Sequence, residues 1–368
     1  MKKNWWKILC VLLLSWTFIA GLLVPLRTGV TNVLPLSAKV GDTIWLKVQG
    51  YNSEWAKATK ATAWLHVDEF FKGDKTLKKA DSTVAHSIES LNFKTIDDRH
   101  IEFQFAIPRY LPTPTKIENA SLLVSVGATE QAIRPSAIAL VQENMNVAEG
   151  KTLWNAKMDI HRDWRFAYPY RNLLAETIRN TYFHVPMWFV MFTLFGVGVY
   201  QSIMYLWKRK READISAAAY TQAGVLFGFL GLFSGGLWAN YAWGEPFPMD
   251  IKIIMTYTAL AIYLAYFILR GAFEDDEKRA RISAVYSIFA FATLIPLIYV
   301  VPRLSEASLH PGNGSNIAFG SQDLDNTMRL VFYPASLGWI LLGIWIASLL
   351  YRYEILKEKV MMSHELTN

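Results

Sequence analysis

The sequence predicts an all-α polytopic membrane protein with six transmembrane helices and an inserted extracytoplasmic β-sandwich domain of immunoglobulin-like type. Three observations predict it: six apolar runs of membrane-crossing length, basic clusters that all fall on one side of those runs, and a long alternating segment after the first run.

The 368 residues are 52% hydrophobic and include 14 Trp, 21 Phe and 17 Tyr, more apolar and aromatic surface than one soluble core requires. The net charge is +6, and clusters of Lys and Arg sit at the ends of the apolar runs. That placement points to membrane orientation and lipid contact, and away from nucleic acid. Cys10 is the only cysteine and lies inside the first run. An intramolecular disulfide, a Cys-x-x-Cys redox pair and covalent haem attachment through Cys-x-x-Cys-His are thereby excluded.

A hydrocarbon core of about 30 Å is crossed by roughly 20 helical residues. Runs of that length extend from Trp5 to Val24, Pro186 to Trp207, Ala217 to Trp238, Ile251 to Leu269, Ile282 to Val301 and Met328 to Leu350. Lys2 and Lys3 precede the first, with Lys7 in its opening turn; Lys208 to Arg211 follow the second. Arg270, Lys278, Arg279 and Arg281 follow the fourth, and Arg352, Lys357 and Lys359 follow the sixth. The positive-inside rule makes this the cytoplasmic side, with both termini inside. Outside lie Pro25 to Phe183, Tyr241 to Asp250 and Pro302 to Thr327. The first run also has the outline of a cleaved signal peptide, with a basic start and Ala20-Gly21 near its end. A missing small-x-small pattern and the odd number of spans left after removal favour the transmembrane reading.

The first outside segment is too long and too patterned for a simple loop. Ile44, Leu46 and Val48 alternate with polar neighbours, as do Ile101, Phe103, Phe105 and Ile107, and Leu122, Val124 and Val126. This is the period of half-buried antiparallel strands, punctuated by Gly73, Pro112, Pro114 and Gly127. Short strands over about a hundred residues predict an immunoglobulin-like sandwich from Thr31 to Gln142. Trp154, Trp164, Tyr168 and Tyr170 in the connector suit a bilayer interface. The domains are then residues 1–24, the first transmembrane helix; 25–170, the β domain and connector; 171–358, a five-helix membrane domain; and 359–368, a cytoplasmic tail.

Two histidines lie outside beside span ends. His184 precedes Val185-Pro186, where proline can open a helix without losing a needed amide donor. His310 lies in the turn-rich Leu309-His310-Pro311-Gly312-Asn313-Gly314. Each can equally be an ordinary interfacial or loop histidine. The third outside segment, Trp243-Gly244-Glu245-Pro246-Phe247-Pro248-Met249-Asp250, is short, rigid and aromatic. Trp238, Tyr241 and Trp243 can stack on a planar macrocycle, and Lys252 can pair with an anionic group such as a propionate. An interfacial aromatic belt with a snorkelling lysine is the plain alternative. Together, two imidazoles and an aromatic loop on one face offer two axial ligands and a stacking shelf for haem. Zinc is disfavoured, since neither histidine has further ligands at close spacing.

The pattern resembles cytochrome c maturation protein C, within the tryptophan-rich haem-handling superfamily, over the first span and Arg179 to Glu358. That family has six spans, His-Val-Pro at the outer start of the second, a Trp-Gly-x-x-Trp-x-Trp-Asp loop and a second outer histidine. The resemblance implies that His184 and His310 are the axial ligands of haem b iron, bound non-covalently, and that Trp243, Gly244, Phe247 and Asp250 form the haem loop. Phe247 and Met249 stand where the family has tryptophans, and Lys252 where it has arginine, which keeps charge without the bidentate fork. It further implies a bacterial cytoplasmic membrane, delivery of haem to a periplasmic haem chaperone, an assisting ABC-type complex, and no catalysis of its own.

The rival readings are a transporter permease without a cofactor, a membrane haem b oxidoreductase, and a haem-attaching synthetase of the same superfamily. The spans lack the mid-helix histidine pairs of the second, and the third usually has more spans. His66, His86, His100, His161 and His364 read as surface residues, Gly271 to Arg281 as a solvated loop, and Arg209 to Glu212 as an orientation signal. No phosphate-cradling loop, Ser/His/Asp arrangement or His-Glu-x-x-His helix is present.

Overall fold

A computed structural model of the chain describes residues 4–67, 86–127, 130–160, 165–172, 174–305, 308, 310 and 324–365. Gly73, His161, Trp164, Leu309 and the turn from Pro311 to Gly314 lie outside the described residues, as does the His364 side chain.

From the N-terminus, α1 (Trp5–Leu23) is followed by strands β1 (Gly29–Leu34), β2 (Ser37–Lys39), β3 (Thr43–Tyr51), β4 (Ala61–Val67), β5 (His86–Glu89), β6 (Asn92–Thr95), β7 (His100–Ala106), β8 (Ile117–Val126) and β9 (Glu130–Val141). Then come α2 (Val147–Leu153), α3 (Thr181–Lys208), α4 (Arg211–Trp243), α5 (Ile251–Gly271), α6 (Asp276–Ile295), α7 (Val301–Leu304) and α8 (Asn326–Glu365). They form two compact units, Pro25–Ala175 and the combination of Met1–Val24 with Glu176–Asn368.

In the β unit, one sheet has the order β1-β3-β7-β6 and the other β2-β9-β8-β4-β5. The predicted alternation is the buried face. Leu46 and Val48 of β3 and Ile101, Phe103 and Phe105 of β7 meet Leu65 of β4, Leu122 and Val124 of β8 and Ile138 of β9 in one core. Two readings are corrected here. Trp154 is not an interfacial aromatic but a fully buried member of that core, its indole N–H donated to the Tyr110 carbonyl at 3.1 Å. Tyr168 is likewise buried, and Tyr170 stacks on Tyr51 at 4.9 Å. His86 opens β5 opposite Val67 and is buried rather than exposed.

Among the described residues the second unit, with Ala175, contains six helical stretches long and apolar enough to cross a membrane: Trp5–Leu23, Ala175–Lys208, Arg211–Trp243, Ile251–Gly271, Asp276–Leu304 and Asn326–Ser363. The fifth combines α6, a π-helical turn at Pro296–Val300 and α7. Its core includes Val190 and Leu194 of α3, Phe227 of α4, Leu260 of α5 and Leu294 of α6. Glycines on α4 make room for side chains of the neighbouring helices. A Cβ on Gly224 would meet Phe195 at 2.5 Å, and one on Gly228 would meet Leu260 at 2.5 Å. Phe195 is itself stacked on Tyr263 with ring centroids 3.5 Å apart.

Most helices overrun the predicted spans because backbone hydrogen bonding continues past the apolar stretch. Pro186 does not open the second span; α3 begins at Thr181 and carries the proline in its second turn. The N–H that proline lacks would have served the Tyr182 carbonyl. That carbonyl instead accepts the Trp339 indole N–H of α8 at 3.2 Å. α8 repeats the arrangement, since Pro334 frees the Leu330 carbonyl and Trp16 of α1 donates to it at 3.2 Å. α1 is further tied in by Cys10 Sγ donating to Gly338 O at 3.5 Å and by Arg179, whose guanidinium donates to Gly21 O and Val24 O at 3.1 and 2.7 Å.

At the basic end of the bundle, Arg270 forms a bidentate pair with Asp214 at 2.7 and 2.6 Å. Arg211 donates to Glu358 at 2.7 Å and lies 3.6 Å from Asp214 and 3.4 Å from Asp276. The stretch from Gly271 to Arg281 is thus only partly a loop: α6 starts at Asp276, whose carboxylate joins this cluster.

Candidate functional site

The opposite end of the bundle gathers His184, the Trp243–Asp250 turn and His310. His184 lies in the first turn of α3, against α4. A Cβ on Gly235 would meet His184 Cε1 at 2.7 Å, and one on Gly231 would meet Trp188 at 2.9 Å. These glycines, one helical turn apart, leave a groove that seats the imidazole and the indole. A Cβ on Gly236 would meet Phe247 at 2.6 Å, so α4 also receives the turn.

Both ring nitrogens of His184 are engaged. Nδ1 lies 3.1 Å from Gly231 O and 3.2 Å from Ser234 Oγ. A carbonyl can only accept, so Nδ1 carries the proton and Nε2 the lone pair. Trp188 Nε1–H donates to Nε2 at 3.3 Å. Trp188 meets the imidazole edge-on at 5.8 Å, and Trp238 lies tilted beside it at 6.0 Å.

His310 is oriented differently. Asp250 closes the turn, caps α5 by accepting Lys252 N–H at 2.9 Å, and is buried. Its carboxylate also accepts the Ser308 hydroxyl at 2.9 Å and His310 Nδ1–H at 3.0 Å. Ser308 Oγ in turn accepts the His310 backbone N–H at 3.3 Å. Burial holds the imidazole below its ordinary pKa, helped by the Lys252 ammonium and opposed by Asp250. The neutral Nδ1–H tautomer directs the lone pair to Nε2, which has no hydrogen-bond partner among the described residues.

Trp243 stands edge-on to His310 at 5.0 Å, supporting that ring. Gly244 takes φ +82° as the C-cap of α4, with its N–H on Asn240 O at 3.1 Å, the left-handed conformation that turns the chain into the loop. Phe247 contacts Tyr257 at 6.4 Å and is 52% exposed, while Tyr241 and Met249 are 80% and 88% exposed. Lys252 is half-buried, within electrostatic reach of Asp250, Arg303 and both imidazoles.

The donor set fits haem. Both imidazoles have their Nδ1 atoms committed to protein acceptors and carry their lone pairs on Nε2, the nitrogen that could ligate iron; that of His310 has no hydrogen-bond partner among the described residues and that of His184 accepts the Trp188 N–H. Among the described residues no group of three or more His, Cys, Asp or Glu forms a cage for a bare metal ion. The buried Nε1–H of Trp238 has no partner among the described residues, leaving a donor beside His184 for an incoming acceptor. The sequence pointed to the two histidines, the turn and Lys252; it missed Trp188, Ser234, Ser308 and the Gly231/Gly235 groove. Trp188, one helical turn after His184, and the spacing Gly228, Gly231, Gly235 were the signals available.

Comparison with known proteins bears on the same region. The family model described as "Heme exporter protein C" matches residues 157–365, more than half of the chain. The chain belongs to the haem exporter protein C family. Family proteins similar to it include those named "Heme exporter protein C" from Bradyrhizobium diazoefficiens, 28% identical over 187 residues, and Haemophilus influenzae, 25% over 190. These alignments take in 50% of this chain and 70% and 74% of those proteins. The Escherichia coli K12 protein of the same name is 25% identical over 187 residues, 49% of this chain and 71% of its own. In this haem exporter C family member, α1 and all nine described strands precede the matched residues.

The glycine groove makes a prediction. Gly235→Ala is expected to displace the His184 ring, weaken its bond to Gly231 O, and reduce haem content severalfold at a stability loss of about 1–3 kcal/mol. Gly271→Ala, where a Cβ meets nothing within 4 Å, should change neither. Pyridine haemochrome assay and thermal unfolding of the two purified variants make the comparison.

Proposed function

We propose that this chain is a membrane haem-handling protein of cytochrome c biogenesis that binds haem b non-covalently between His184 and His310 and delivers it to a protein docking from outside. The observation that carries the reading is the matched preparation of the two rings. Gly231 O and the Asp250 carboxylate each take an Nδ1–H, so each ring keeps its lone pair on Nε2, His184 in the first turn of α3, where the Trp188 N–H donates to it, and His310 in the segment between α7 and α8. Haem, as cargo, brings an iron whose axial positions two imidazoles fill, which suits holding and release rather than oxygen chemistry. The chain's own residues orient ligands, stack and supply charge. His184 and His310 hold the iron, Trp243 and Gly244 set the turn, Asp250 orients His310, Phe247 offers an aromatic face, and Lys252 pairs with a propionate.

The basic ends are read as cytoplasmic and the histidine end as outward, in a bacterial cytoplasmic membrane with both termini inside. The receiving partner is then a periplasmic haem chaperone, with an ABC-type complex among the associated subunits. The strands are read as an immunoglobulin-like sandwich that widens the docking surface. Support comes from the β1-β3-β7-β6 and β2-β9-β8-β4-β5 orders and the parallel β2/β9 edge pair.

Protein purified in detergent from haem-replete cells is expected to show a Soret band typical of two imidazole ligands. His184→Ala combined with His310→Ala should reduce bound haem at least about tenfold. Wild-type haem content in the double variant would sink the ligand assignment, and wild-type protein without a Soret band would favour a permease lacking bound haem.

A further inference from the structure

The two histidines are prepared alike at Nδ1 but differ at Nε2. His310 Nε2 has no hydrogen-bond partner among the described residues, whereas His184 Nε2 accepts the Trp188 indole N–H at 3.3 Å. The protonation pattern leaves no other assignment: Gly231 O fixes the proton on Nδ1, and an indole nitrogen can only donate. The contact is built rather than incidental. His184 and Trp188 are one turn apart on α3, the indole is edge-on to the imidazole, and Gly231 of α4 supplies the space that the indole occupies.

We propose that Trp188 is a resident cap on the His184 lone pair, competing with iron so that haem is held less tightly and released more readily. The proposal rests on His184 being a haem ligand. Loading at this ring then exchanges one N–H···N hydrogen bond for one iron–nitrogen bond. The indole keeps its proton, Nδ1 keeps its own, and no proton or electron changes hands. The indole must rotate away from Nε2, and the cap re-forms when haem leaves.

Two replacements test the cap. Trp188→Phe removes the N–H with part of the ring, and β-(3-benzothienyl)alanine incorporated at position 188 removes the N–H while keeping the bicyclic shape, which guards against misfolding. In protein free of haem, carbethoxylation of His184 by diethylpyrocarbonate, followed by peptide mass spectrometry, reads the availability of Nε2. Titration with ferric haem reads affinity. Both replacements are expected to raise the His184 reaction rate and to tighten haem binding about fivefold, the effect of one hydrogen bond. Trp207→Phe, at an exposed tryptophan near the basic end of α3, should do neither. An unchanged rate in the benzothienyl protein overturns the cap. A raised rate with unchanged haem affinity overturns the competition. His184→Ala in the same titration separates the causes: if it also leaves affinity unchanged, the ligand assignment has failed, and if it weakens binding, only the role of Trp188 has.

Discussion

Asp250→Ala is expected to reduce haem affinity by about 10- to 100-fold, the usual penalty for removing the group that orients a metal-ligating histidine. Asp250 has three tasks in one buried carboxylate: it caps α5 through Lys252 N–H, accepts Ser308 Oγ–H, and fixes His310 through Nδ1–H. Removing it frees the His310 ring to turn and leaves its Nδ1–H without the acceptor that selects the tautomer. Losing the cap adds about 1 kcal/mol of destabilisation. Asp250→Asn separates the effects, since the amide oxygen can still cap the helix or accept from Nδ1 but carries no charge. The asparagine protein should unfold near the wild-type temperature while binding haem more weakly. Equal haem affinity in wild type and Asp250→Ala would remove Asp250 from the site. Ferric haem titration and thermal unfolding give the two readouts.

The largest stability effect is expected at the opposite end. Asp214 is 3% exposed and pairs bidentately with Arg270. Removing one partner leaves the other charge in a low-dielectric setting, so Asp214→Ala or Arg270→Ala should destabilise the bundle by about 3–5 kcal/mol. Arg211, which reaches Asp214, Asp276 and Glu358, softens the loss of Arg270 more than the loss of Asp214, because it can neutralise the orphaned carboxylate. Asp214→Leu with Arg270→Met should regain much of the loss, since neither charge is then stranded. A lower unfolding temperature in either single variant, with the double variant near wild type, is the expected pattern. Three equal melting curves would show that the pair is structurally idle.

The sequence shows the six spans clearly because hydropathy and charge placement are local properties of the chain. Their ends are less clear. α4 runs from Arg211 to Trp243, well past Ala217 and Trp238, since a helix ends where its backbone is capped rather than where its apolar stretch stops. The start of α3 was missed for a non-local reason: Trp339 is 157 residues from the Tyr182 carbonyl that it satisfies. Trp154 reads as an interfacial aromatic only until Tyr110 O and the β core are placed around it. At the site, His184, His310, Trp243 and Asp250 were legible as residue types at span ends. What each nitrogen touches was not, because Gly231, Ser308 and Trp188 act through packing and orientation that spacing alone leaves open.

The prolines of α3 and α8 have a consequence for assembly. A helix that enters a bilayer with its internal hydrogen bonds complete can persist there alone before it meets its neighbours. α3 and α8 each enter one bond short, at Tyr182 O and Leu330 O, and a tryptophan from another helix donates to each of these carbonyls. Helix association therefore completes the secondary structure itself. α1, which supplies Trp16, must wait for α8, far later in the chain, while the β region is synthesised between α1 and the rest of the bundle.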